Sequence, residues 1–148
     1  MHVTTDAWTI SLPDDWVQKQ DTTNGTSYFE SSDGSKAMYV TVWQIPGTST
    51  AAQLAASIAS ISGKALQTMD GYSWRLVEQR TGDTLDVAIA LVDHLADAKL
   101  YRIISTVMAR PPLVVRASFH DYLCEDYGLS RGYFAPVIES LRLAGNRP

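Results

Sequence analysis

Only one of the 148 residues is a cysteine, Cys124, so no disulfide can close within the chain. Basic residues are the minority charge: 12 Lys and Arg stand against 16 Asp and Glu, for a net charge of −4. No basic run or basic helix face appears, which excludes a surface that tracks phosphates and, with it, a nucleic-acid partner. The longest near-continuous apolar stretch is residues 87–92, far short of the ~20 residues that span a bilayer. Gly82, Gly128 and Gly132 are not followed by Lys-Ser or Lys-Thr, so no phosphate loop is present. Residues 1–6 lack the basic start and apolar stretch of a signal peptide. From this and the lone thiol, we expect a cytoplasmic protein.

What is present is ordinary globular chemistry, 45% apolar and 19% charged, in a chain of single-domain length. We therefore expect one domain over residues 1–148. Trp8-Thr9-Ile10-Ser11-Leu12 alternates apolar and polar, the period of a half-buried strand, and Pro13-Asp14-Asp15 breaks it. Trp16 and Val17 restart an extended segment, and Asn24-Gly25 and Asp33-Gly34 supply hairpin turns. Residues 37–45 follow as a long strand rich in Tyr, Val, Thr and Trp. After Pro46-Gly47, Ser49 or Thr50 can cap a helix over 51–67, with Leu54, Ile58, Ile61 and Ala65 as its apolar stripe.

A second group of strands is expected at 74–80, 85–95, 100–109 and 113–119, with a turn at Thr81-Gly82-Asp83. Residues 87–92 are apolar on both faces, so that strand must be covered on both sides and should lie near the middle of its sheet. Ser130 is a candidate cap for a last helix carrying Tyr133, Phe134, Val137, Ile138 and Leu141, with Pro136 placing its regular part from about Ala135. Short turns favour antiparallel pairing. The expected class is α+β: an antiparallel sheet with a helix on each face.

Two segments carry a resemblance. Trp8-Thr9-Ile10-Ser11-Leu12-Pro13-Asp14-Asp15-Trp16 resembles the opening of the superfamily of the photosystem protein PsbP, the Ran-binding Mog protein and bacterial DcrB. Tyr133-Phe134-Ala135-Pro136-Val137-Ile138-Glu139-Ser140-Leu141 is similar to its aromatic-x-x-x-Ile-x-x-Ser-Leu close, and the order of elements between them matches. The resemblance implies an α-β-α sandwich that binds proteins and is rarely an enzyme. Some bacterial members are adaptors for secreted effectors. Thr5-Asp6-Ala7 stands where those adaptors carry an Asn-Glu-Gly-like lead, so an immunity protein against a secreted toxin is the companion expectation.

Candidate chemistry is sparse. His120 with Cys124 is the densest reactive pair, and a thiolate nucleophile would need the imidazole in hydrogen-bond reach. A lone buried thiol is the plainer reading. Asp93, His94 and Asp97 lack zinc or calcium spacing, and neighbouring strand residues face opposite ways, so we expect no metal and no cofactor. Aromatics are the remaining signal. Tyr39, Thr41 and Trp43 share one strand face and Tyr28 lies on the next strand, so Tyr28, Tyr39 and Trp43 are the expected partner-binding residues. The expected function is non-enzymatic binding of another protein. The alternatives are a small hydrolase or transferase at His120 and Cys124, or a small-ligand carrier with a pocket between sheet and helix.

Overall fold

The computed structural model describes residues 1–20, 26–84 and 87–144. Among them, strands β3 (Val17–Gln20), β4 (Thr26–Glu30), β5 (Lys36–Gln44), β6 (Arg75–Thr84), β7 (Val87–Ala96), β8 (Tyr101–Arg110) and β9 (Leu113–Asp121) form one sheet in the order β3-β4-β5-β9-β8-β7-β6. Every neighbouring pair in it is antiparallel. A small second sheet joins β1 (His2–Thr4), β2 (Trp8–Ser11) and β10 (Arg142–Leu143), tying the start of the chain to its end. Helix α1 (Ala51–Leu66) follows β5, and α2 (Tyr127–Glu139) follows β9. The class is α+β, as expected. No helix among the described residues is long and apolar enough to cross a membrane.

Local chemistry accounts for most boundaries. Thr50 accepts from the Gln53 N–H at 3.1 Å while Gln53 Oε1 accepts from the Thr50 N–H at 2.9 Å, a reciprocal capping box that starts α1. Gly34 turns β4 into β5 at φ 74°, a conformation glycine adopts without steric cost. Arg110-Pro111-Pro112 separates β8 from β9, with a cis bond between the two prolines.

Several expectations change. Thr81-Gly82-Asp83 does not turn; it continues β6, opposite Ala90, Ile89 and Ala88, because the ladder to β7 outweighs local turn chemistry. The expected hairpin at Asn24-Gly25 lies outside the described residues. The buried face of α1 is Leu54, Ala55 and Ala59, with Ile58 beside them, whereas Ile61 is 61% exposed. Helix α2 begins with Asp126, not Ser130, as its cap: the carboxylate accepts from the Leu129 N–H at 3.0 Å. Pro136 therefore sits inside α2, where it leaves the Gly132 carbonyl without its usual donor. Burial of Phe134 and Val137 holds the helix through that gap. Strand β7 lies one place from the edge rather than at the centre, between β6 and β8.

Two apolar clusters meet the sheet. One joins Phe134, Val137 and Leu141 to Leu91, Ile104, Val115, Ala117 and Phe119, along with Met38, Val40, Trp8 and Trp16. The other joins Leu54, Ala55 and Ala59 to Ala88, Ala90, Val92, Val107 and Val114. The segments that carried the resemblance pack together here: Trp16 Nε1 donates to the Tyr133 hydroxyl at 2.8 Å, and the Ser11 N–H donates to Ser140 Oγ at 2.9 Å.

Candidate functional site

Beside the α1 cluster the sheet is not filled. Register aligns Tyr39, Ser118, Ser105 and Val92 across β5, β9, β8 and β7. The neighbouring rows run Thr41, Arg116, Val107, Ala90 on one side and His120, Ile103, His94 on the other. Ser105 and Ser118 are small, and α1 presents Ala59, Ser62 and Gly63 above this region. Small side chains opposite small side chains leave a void, because close packing needs volume from one side or the other. The result is a cavity of about 370 Å³ between α1 and the sheet.

Its polar lining is distinctive. Tyr39, Tyr101, Tyr122 and His120 stand at one end, in a wider array of rings: Tyr39 and His120 centroids are 5.1 Å apart, Tyr101 and Tyr122 also 5.1 Å, and Tyr101 and Trp74 5.0 Å. The Tyr101 hydroxyl lies 2.6 Å from His120 Nδ1. Burial, aided by the charge on Arg116, pushes His120 down to about 4, so its ring is neutral at pH 7. Burial pushes Tyr101 up to about 12 and raises Tyr122 further, so both keep their protons. His94 also lines the cavity and is lowered by burial.

Arg116 is the exception. Its Nη1 donates to Ser62 Oγ at 3.0 Å, and its guanidinium carbon lies 5.3 Å from the centre of the Trp43 ring. Its Nε is buried with no partner, as is the Ser105 hydroxyl. No carboxylate lines the cavity among the described residues, and none pairs with Arg116.

The expected site residues are partly gathered here. Tyr39 lines the cavity, and Tyr28 packs against it with centroids 4.6 Å apart while donating to Glu30 Oε2 at 2.5 Å. Trp43 is half-buried against the α1 cluster, beneath Arg116, so β5 turns its Tyr39 and Trp43 face toward α1. Met38 and Val40 join the cluster of α2 instead. His120 and Cys124 are not brought into contact: His120 meets Tyr101 and Tyr39, while Cys124 bonds Ser130 of α2 and has its thiol raised by burial. Asp93 and His94 face opposite ways. Asp93 accepts from Arg102 at 3.0 and 2.8 Å and from the Tyr127 hydroxyl at 2.6 Å, and His94 opens on the cavity. Asp97 pairs with exposed Arg75. Among the described residues, no three His, Cys, Asp or Glu side chains gather as a metal would require.

Sequence reasoning passed over Arg116, Ser118, Tyr101 and Tyr122. A signal existed: along β9, Val115, Ala117 and Phe119 alternate with Arg116, Ser118 and His120, a polar face inside a strand with neighbours on both sides.

No family model and no curated protein matches the sequence. Among solved structures, the chain is similar to cyanobacterial PsbP from Synechocystis, at TM-score 0.69 and 14% identity, over 97% of this chain and 91% of that one. It is also similar to a Bacteroides thetaiotaomicron protein, at TM-score 0.50 and 14% identity, over 95% of this chain but only 47% of the other. The chain has a PsbP-like fold, in agreement with the resemblance drawn from its two ends. At this identity the likeness is one of fold.

Proposed function

We propose that this chain is a non-enzymatic binding domain whose working site is the cavity between α1 and the sheet, with a small molecule as its occupant. One observation carries the reading: a void of about 370 Å³ whose wall combines aromatic and aliphatic side chains with Ser and Thr hydroxyls, His94, His120 and Arg116. Ligand sites have that size, roughly 300–1,000 Å³, and combine apolar walls with convergent polar groups. The separation of His120 from Cys124, and the raised thiol, favour binding over nucleophilic chemistry. Layering supports it as well. Along β7, Ala88, Ala90 and Val92 join the cluster of α1 while Leu91 joins that of α2, so alternate residues meet different helices. On this reading the fold is helix, sheet, helix, with the cavity under the first. A cytoplasmic setting belongs to the same proposal and rests on the single, buried, unpaired Cys124.

A protein partner is the second reading, as an adaptor or immunity protein would need. A second concavity between α1 and β6 favours it, since Leu76 there is 51% exposed. An apolar segment of a partner would lie along it, and Tyr28, Tyr39 and Trp43 would contribute less than the sequence suggested.

A thermal-shift screen of small metabolites separates the two. A ligand at a hundredfold excess over its Kd should raise Tm by roughly 5–10 °C. Ser118→Phe, which places a ring in the cavity, should abolish that shift. Compounds that stabilise Ser118→Phe as well as the wild type would place the site elsewhere.

A further inference from the structure

The charge inventory of the cavity does not balance, and the imbalance specifies a ligand. An arginine stays protonated in proteins, so Arg116 carries its charge even though burial works against it. Arg116 is half-buried with its Nε fully enclosed, and taking a charge even partly out of water without a counter-ion costs free energy, so arginines in such places are ordinarily paired. Arg116 is not paired: beyond Ser62, no hydrogen bond or ion pair of its guanidinium is made among the described residues. The other titratable groups facing it cannot offset its charge. His94 and His120 are neutral at pH 7, and Tyr101 and Tyr122 are phenols rather than phenolates. A second buried donor, Ser105 Oγ, is also without an acceptor on the same floor. Among the described residues, two orphaned donors and one uncompensated positive charge share a single void.

We infer that the occupant of this cavity is a small organic anion, a carboxylate carried on a flat apolar body, with Arg116 as its counter-ion. The guanidinium offers the planar fork that a carboxylate accepts, with Trp43 stacked behind it. Tyr39, Tyr101, Ile103 and Val92 provide an apolar and aromatic wall for the rest of the molecule. The inference rests on the reading of the cavity as a ligand site and adds the chemical class of the ligand.

The experiment compares ring carboxylates with their primary amides (benzoate and benzamide, cinnamate and cinnamamide, nicotinate and nicotinamide) by calorimetric titration of the full chain. At least one carboxylate should bind tenfold or more tighter than its amide. Arg116→Met, which keeps the stem and removes the charge, should bring the pair to parity, and Arg116→Lys should retain a reduced preference. Ligand-free Arg116→Met should melt no lower than the wild type, because it removes an unpaired, partly buried charge. Amides that bind as well as the carboxylates would overturn the inference while leaving the cavity a ligand site. Failure of both classes to bind would overturn inference and reading together. A ligand-free Arg116→Met that melts well below the wild type, or does not fold, would make Arg116 a structural residue. In the unfolded case, an undiminished carboxylate preference in Arg116→Lys would likewise count against the carboxylate fork.

Discussion

His120 shows how one side chain couples the cavity to stability. It titrates at about 4 in the fold, held down by burial and by Arg116, against an ordinary value of 6.5. Between those two values the unfolded chain binds a proton that the folded chain refuses. Stability therefore falls as pH drops from about 6.5 toward 4 and levels off below, and His94 acts in the same direction. The His120 share is at most about 3 kcal/mol, since each tenfold loss of proton affinity corresponds to ~1.4 kcal/mol. Urea unfolding at pH 7, 5.5 and 4 should show this loss, and His120→Gln should remove most of it. An unchanged pH dependence in the variant would contradict the burial assigned to His120. This residue is visible in the sequence only as a candidate partner of Cys124. What the sequence does not show is the charge balance around it, since the absence of a carboxylate near Arg116 among the described residues depends on which acids the fold brings to the cavity.

At the scale of elements, periodicity locates nearly everything and misplaces details where tertiary pairing competes with local preference. The run at 37–45 is β5, and the two-faced apolar run is β7. Thr81-Gly82-Asp83 reads as a turn because Gly and Asp favour turns, yet β7 holds all three in a ladder. Helix α1 follows from its cap and spacing, but its contact face is shifted toward alanines, and that shift is what leaves room for a cavity. Gly63 marks the same place. A methyl group there would meet no atom within 4 Å, and its φ is not positive. Gly63→Ala should therefore stabilise the protein by roughly 0.5–1 kcal/mol, because glycine in a helix interior costs about that much relative to alanine. The expected rise in Tm is about 1–4 °C in a chain of this size. A fall in Tm would mean that α1 lies too close to the sheet for the added methyl.

Across the whole molecule, the two ends of the chain define the fold, and the middle of the sheet defines the site. Trp8 and Trp16 from the opening segment share one core with Phe134 and Leu141 from the closing segment, so the two short motifs that carried the resemblance report a single packed unit. Such motifs record how a core closes and say nothing of what a cavity on other residues holds, which is why the fold is legible in the sequence and the site only in fragments. The strand face of Tyr39 suggests a contact for a partner, and in the fold the residue forms one wall of the void beside Ser118, Tyr122 and Arg116. The most direct test of that assignment is amide NMR of the uniformly labelled chain, titrated with the ring carboxylates and amides. Saturable shifts centred on Ser105, Arg116, Ser118 and Gly63 are expected. Shifts that cluster along β6 or α2 while these four amides stay unmoved, or no saturable shift with any compound, would contradict it.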